Sequence, residues 1–122
     1  METLAGFYTF GSNISLVSLA FDPVESITFP PVGLWNYFPA GTSLRDISRV
    51  AKWLNFYDPD DILGYPLKHL SASYGNAVSE DRAINVGGPA VSWNPLSHGA
   101  YWTDNDLTRP ISQAITGVLS LL

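Results

Sequence analysis

The chain has 122 residues, of which 46% are hydrophobic and 14% are charged, and this composition predicts one globular segment, residues 1–122, with a buried core. Eleven acidic residues against six basic ones give a net charge of -5, and lysine and arginine form no cluster. A surface that follows nucleic acid phosphates is therefore not expected, so the sequence argues against nucleic acid as a partner.

The amino-terminal residues do not resemble a targeting segment. Residues 1–10 lack the basic start and the apolar stretch of a secretory signal peptide. No segment of the chain reaches the roughly 18 apolar residues that a transmembrane helix needs. The sequence also contains no cysteine, which excludes disulfides and thiolate metal sites. From these features we expect a cytoplasmic protein without a transmembrane segment.

The first half of the chain predicts a strand, an irregular stretch and a helix. Residues 6–10 form an aromatic and β-branched run closed by Gly11, which is typical of a short buried strand. Residues 21–41 carry four prolines among aromatic side chains, so we expect a long irregular excursion. Ser43 followed by Asp46 makes a capping box, which predicts a helix of about two turns before the next strand.

The second half predicts two more strands and a final helix. Residues 53–57 read as a strand that ends in an acidic turn, residues 58–61. A third strand is expected over residues 83–86, followed by a loop that contains a histidine. The last helix is expected from about residue 108 to residue 121, with Pro110 in its first turn.

This order of elements predicts an α/β fold with a parallel sheet of about three strands and flanking helices. Three strands are few for a sheet that is covered on both faces. We expect the outer edge of the first strand to lack a partner strand. The pattern therefore reads as the end of a larger domain.

Three segments resemble the carboxy-terminal third of α/β-hydrolases of the lipase and esterase kind. They are residues 8–12 (Tyr-Thr-Phe-Gly-Ser), residues 53–66 and residues 97–102 (Ser-His-Gly-Ala-Tyr-Trp). In that family the triad acid lies in a loop after a late strand, and the base follows the last strand. Asp61 and His98 occupy these places. The resemblance implies that Asp61 orients the imidazole and that His98 transfers the proton of an attacking serine.

The nucleophile of such a triad is missing, because no G-x-S-x-G elbow occurs in the sequence. The resemblance therefore implies a carboxy-terminal fragment of a serine hydrolase that is inactive alone and takes its serine from sequence upstream. Its substrate would be an ester or lipid-like small molecule, without a cofactor or metal. An amino-terminal half, or a second copy of the chain, would cover the exposed edge of the sheet.

Several alternatives stay open at this point. Asp58 is the second choice for the triad acid, and the acidic turn is also compatible with carboxylates that only cap backbone amides. A calcium loop fits poorly, because Ile62 takes the fifth position and Gly64 the seventh. A histidine in a Gly/Ser-rich loop is also compatible with an ordinary solvated residue. The alternative function is a non-catalytic interaction module that binds a partner through the edge of the first strand.

Overall fold

The computed structural model describes residues 3–20, 24–86 and 97–122, with the backbone alone at Ser97 and His98. Its strands are β1 (Gly6–Phe10), β2 (Lys52–Tyr57) and β3 (Glu80–Ala83). Its α-helices are α1 (Ile14–Val17), α2 (Leu44–Val50), α3 (Ala72–Ala77), α4 (Ser97–Ala100) and α5 (Asn105–Leu119), and two 3-10 helices cover Leu34–Tyr37 and Tyr101–Thr103. The strands form one parallel sheet in the order β1-β2-β3, so the predicted three-stranded α/β fold is confirmed.

The central strand β2 is buried on both faces of the sheet. On one face, Trp53 packs against Phe29 and against Tyr74 of α3. On the other face, Phe56 lies in a cluster with Tyr101 and with Leu107 of α5. The helices α3 and α5 therefore cover opposite faces, as a parallel sheet with a continuous apolar strand requires.

The proline-rich excursion contributes to the core rather than lying apart from it. Its Leu34 and Phe38 pack with Ile47 of α2 and Ala51 in a separate buried cluster, and Val118 of α5 lies against that cluster. The capping box of α2 is confirmed, because the Ser43 hydroxyl accepts a hydrogen bond from the Asp46 amide at 3.1 Å. This cluster joins the excursion to both flanking helices.

Two predicted boundaries were wrong. The third strand covers Glu80–Ala83, not residues 83–86, because an edge strand accepts charged side chains such as Arg82, whose guanidinium binds Glu80. The last helix begins at Asn105, not at residue 108, because the Asp104 side chain caps it by accepting the Asp106 amide at 2.7 Å. Pro110 consequently lies inside the helix and not in its first turn.

Further helical segments lie where the sequence predicted none, and two of them bear on the site. The helix α3 begins after Ser71, whose hydroxyl accepts a hydrogen bond from the Tyr74 amide at 3.4 Å. Its Gly75 and polar side chains are weak helix formers, so packing rather than propensity stabilises it. The expected histidine loop is also helical, because α4 (Ser97–Ala100) runs directly into the 3-10 helix Tyr101–Thr103. Tyr101 is fully buried and anchors that turn in the core.

A buried polar network crosses all three strands beneath the loop that follows the acidic turn. Asn55 of β2 is fully buried, accepts the Thr9 hydroxyl at 2.8 Å and donates to the Asp81 carboxylate at 2.7 Å. The same carboxylate accepts the backbone amides of Leu67 and Lys68, each at 2.9 Å. Because every partner in such a network restrains the others, these hydrogen bonds fix the position of the loop relative to the sheet.

The first strand lies at one edge of the sheet. Within the described residues, β1 pairs with β2 alone, with Gly6 opposite Lys52 and Phe10 opposite Phe56. In the same part of the chain, no helix is both long enough and apolar enough to cross a membrane. The strands that the structure describes thus leave the outer side of β1 without a partner strand.

Candidate functional site

The predicted acid lies where the carboxyl ends of β1 and β2 meet. Gly11 follows β1 with a φ of +52°, and its amide donates to the Phe56 carbonyl at 3.1 Å. The chain then turns away from the sheet, and the Ser12 carbonyl accepts the Tyr65 amide at 3.4 Å. Loops at this rim of a parallel sheet are where side chains from different strands converge on a crevice.

Asp58 is a fully buried carboxylate that binds backbone amides. Its Oδ2 accepts the Val86 amide at 2.7 Å, and its Oδ1 accepts the Asp60 amide at 2.9 Å. Both bonds are short, and the first joins the end of β2 to the segment that follows β3. Asp58 therefore has a direct structural role in holding the rim together.

Asp61 lies three residues later and is 3% exposed. Its Oδ1 accepts the Leu63 amide at 2.9 Å, and its Oδ2 lies 3.3 Å from the Tyr101 hydroxyl. The second distance is longer than a typical hydroxyl hydrogen bond, and a carboxylate oxygen accepts more than one donor. The acidic turn thus caps backbone amides, which was one of the alternatives, while Asp61 also faces the segment that carries His98.

Gly64 lies directly against this pair of side chains. A Cβ atom at this position would lie 3.0 Å from Asp61 Oδ2, 3.1 Å from the Tyr101 hydroxyl oxygen and 3.2 Å from the Gly11 Cα. Only a residue without a side chain fits such an approach without displacing its neighbours. The backbone of the loop at Gly64 therefore packs directly against the Asp61 and Tyr101 oxygens.

Tyr101 connects the acidic turn with the helical turn that begins at Ser97. Its hydroxyl oxygen accepts the Asp58 amide at 2.8 Å, and the ring packs 5.9 Å from the Phe10 ring. Burial raises the pKa of the Tyr101 hydroxyl, so this group keeps its proton throughout the physiological pH range. The side chain is a neutral donor and acceptor at the rim.

The structure places only the backbone of His98, within α4, and its side chain lies outside the described part of the chain. His98 is three residues before Tyr101, in one continuous helical stretch. At the neighbouring Gly99, a Cβ atom would meet nothing within 4 Å. The contact between Asp61 and His98 thus stays a prediction. The second histidine, His69, is exposed.

Among the side chains that the structure describes, which do not include that of His98, no three acidic, histidine or cysteine side chains form a group that could hold a metal ion. A cavity of about 560 Å³ lies beyond the ends of β2 and β3, and Asp58, Asp60, Arg82 and Asp106 are among its lining residues. Asp61 and Tyr101 do not line it, so this cavity is separate from the predicted acid.

Sequence analysis missed Tyr101 and Gly64 as parts of the site. Tyr101 was noted only within the histidine segment, although its spacing of three residues from His98 equals nearly one helical turn. Gly64 was considered as a position of a calcium loop. Neither contact could be predicted locally, because Tyr101 meets Asp61 across 40 residues of chain.

The fold is a three-stranded parallel sheet with flanking helices, and Asp58 and Asp61 lie buried in the turn that follows β2. In comparisons with family models, with curated proteins and with solved structures, the chain matches none of them. The resemblance to α/β-hydrolases is therefore carried by the three sequence segments alone and stays a prediction.

Proposed function

We propose that this chain supplies the acid, Asp61, and the base, His98, of a serine hydrolase triad of the lipase or esterase kind. The nucleophilic serine comes from outside these 122 residues, because the sequence contains no G-x-S-x-G elbow. The chain alone is inactive toward esters. The observation that carries the proposal is the contact of Asp61 with Tyr101, which brings the acidic turn to the helical stretch of His98.

The choice of Asp61 over Asp58 rests on their hydrogen bonds. Both Asp58 oxygens accept short bonds from backbone amides, and the side chain is 0% exposed. Asp61 gives one oxygen to the Leu63 amide, while its Oδ2 accepts a 3.3 Å contact from a neutral hydroxyl. Of the two carboxylates, Asp61 is thus the one whose side-chain oxygen contacts a side chain of the histidine segment, residues 97–102.

The proposed chemistry assigns one role to each side chain. One ring nitrogen of His98 takes the proton of the attacking serine and later returns it to the leaving group. The Asp61 carboxylate binds the other nitrogen, selects the tautomer and stabilises the imidazolium. The substrate is an ester or a lipid-like molecule, and neither side chain requires a cofactor.

The outer edge of β1, which has no partner strand within the described residues, supports the need for a partner. A groove of about 360 Å³ begins at Phe10, at the end of this strand, and continues along Ile111 and Ile115 of α5. Trp102, which also lines the groove, is 71% exposed. The partner is the piece that carries the serine, or a second copy of the chain. The alternative function, an interaction module without catalysis, uses the same edge.

A fluorophosphonate serine probe tests the missing nucleophile. We expect the purified chain to remain unlabelled, because no serine in it stands on a nucleophile elbow. Labelling measured by intact mass would show that the chain carries its own activated serine, and would contradict the proposal. In pull-downs from an extract, a bound partner should be labelled with wild-type bait and lose its label with His98→Ala bait. A partner labelled equally with both baits would also contradict it.

Replacement of Asp61 by asparagine tests the acid in the isolated chain. We expect Asp61→Asn to lower the pKa of His98 by about 1–2 units, because a carboxylate beside an imidazolium stabilises its charged form. The chain has two histidines, so imidazole ¹H–¹⁵N NMR titration resolves both. His69 is exposed and serves as an internal reference.

The matched control is Asp60→Asn, which removes the same charge one residue away from an exposed side chain. This control should change the titration of His98 by less than about 0.3 unit, because the charge is screened by solvent. If Asp61→Asn and Asp60→Asn move His98 equally, Asp61 is not its partner and the triad assignment fails.

A further inference from the structure

Two hydrogen bonds at the Tyr101 hydroxyl connect the acidic turn with the histidine segment. The Asp58 backbone amide donates to the hydroxyl oxygen at 2.8 Å, so the oxygen acts as acceptor in that bond. A tyrosine hydroxyl has a single proton, and this hydroxyl donates it to Asp61 Oδ2 at 3.3 Å. The proton therefore points from Tyr101 toward the Asp61 carboxylate.

We propose that Tyr101 is the positioning residue of this site, and that its hydroxyl holds the Asp61 carboxylate toward the helical stretch of His98. The inference rests on the proposed function and extends it, because it assigns the orientation of the acid to a side chain from the histidine segment itself. Tyr101 does not touch the substrate and acts through Asp61.

The surroundings of Tyr101 suit this role. The side chain is 0% exposed and packs in the cluster formed by Phe56, Val86 and Leu107, so its ring cannot turn without moving the core. Gly64 closes the other side, with room for no side chain between the loop and the two oxygens. The hydroxyl is thus a fixed point against which a short acidic side chain can be oriented.

A second consequence is that one helical stretch positions both the hydroxyl that contacts Asp61 and the backbone of His98. Tyr101 directly follows α4, which contains the backbone of His98, and the two residues are three positions apart. Any shift of this helical stretch carries the hydroxyl and the histidine backbone together. The hydroxyl that contacts Asp61 then moves together with His98, so the relative geometry of Asp61 and His98 is preserved.

Tyr101→Phe tests the proposal in the isolated chain by the same imidazole titration. The substitution keeps the ring in the core and removes only the hydroxyl. We expect the pKa of His98 to fall by about one unit, roughly a tenfold loss of proton affinity, because the carboxylate is no longer held toward the imidazole. Tyr74→Phe is the matched control, since Tyr74 is a buried tyrosine on the opposite face of the sheet.

The double variant Asp61→Asn/Tyr101→Phe shows whether Tyr101 acts through Asp61. We expect its His98 titration to equal that of Asp61→Asn alone, because a positioning residue has no effect once the group it positions is gone. A further fall in the double variant would overturn the proposal. So would an unchanged His98 titration in Tyr101→Phe when Asp61→Asn gives the expected shift.

A measurement that needs no change at Tyr101 covers the case in which Tyr101→Phe does not fold. In chains labelled with ¹³Cζ-tyrosine, the Tyr101 resonance reports the hydrogen bonds of its hydroxyl. We expect this resonance to shift between wild type and Asp61→Asn and to stay in place in Asp60→Asn. Equal positions in wild type and Asp61→Asn would overturn the proposal. A shift of Tyr101 without any shift of His98 would uphold the Tyr101 contact and refute the triad.

Discussion

Asp58→Ala is expected to lower the free energy of unfolding by about 3 kcal/mol, because it leaves a buried amide without an acceptor. The carboxylate joins the end of β2 to Val86 through a 2.7 Å bond and closes the acidic turn through a 2.9 Å bond to the Asp60 amide. Val86 is 0% exposed, so water cannot replace the lost partner. The Asp60 amide lies at the surface and contributes less.

Chemical denaturation followed by tryptophan fluorescence measures this loss. Asp60→Ala is the control, since it removes the same charge from an exposed side chain of the same turn and should change stability by about 0.5 kcal/mol or less. Asp58→Asn keeps the shape and one acceptor oxygen for the buried Val86 amide, so its loss should be smaller than that of alanine. A loss at Asp58 no larger than at Asp60 would show that the buried bond is not significant.

Gly64→Ala is expected to cost about 2 kcal/mol, and Gly64→Val about 3 kcal/mol or more, because the added atoms enter occupied space. A Cβ would lie within 3.0 to 3.2 Å of Asp61 Oδ2, the Tyr101 hydroxyl and the Gly11 Cα. The neighbours have little freedom to move away, because Tyr101 is fixed in the core and Gly11 is held by its bond to Phe56. The substitutions therefore push the acid and the tyrosine apart.

The same denaturation experiment checks these variants, and Gly99→Ala is the matched control. Gly99 lies in α4, where a Cβ atom would meet no atom of the described residues within 4 Å, so alanine should be neutral or slightly stabilising there. If Gly64→Ala is as well tolerated as Gly99→Ala, the loop is not packed against Asp61 and Tyr101 as the structure describes.

Local signals were enough to predict part of the fold. The strand β1 was predicted with the bounds that the structure has. Its aromatic and β-branched residues and the glycine that ends the strand, Gly11, are all neighbours in the sequence. The capped helix α2 was predicted for the same kind of reason, since Ser43 and Asp46 interact within one turn. The burial of β2 on both faces also followed from the order of elements, which predicted a parallel sheet covered on both sides.

The sequence could not place β3, because its residues are charged and its pairing depends on a distant strand. Glu80 lies opposite Leu54, and the Asp81 carboxylate binds Asn55 and two loop amides more than ten residues away. These partners make a charged segment a stable edge strand. Strand propensity alone favoured the apolar segment that begins at the end of β3, residues 83–86.

For this protein, the sequence by itself determined the parallel α/β arrangement, strand β1, the capped helix and the acidic turn after β2, since each depends on neighbouring residues or on the order of elements. Only the tertiary structure decided which carboxylate serves the backbone and which faces the histidine segment. The physical reason is that Val86 and Tyr101 reach Asp58 and Asp61 across 28 and 40 residues, and no local pattern encodes such partners.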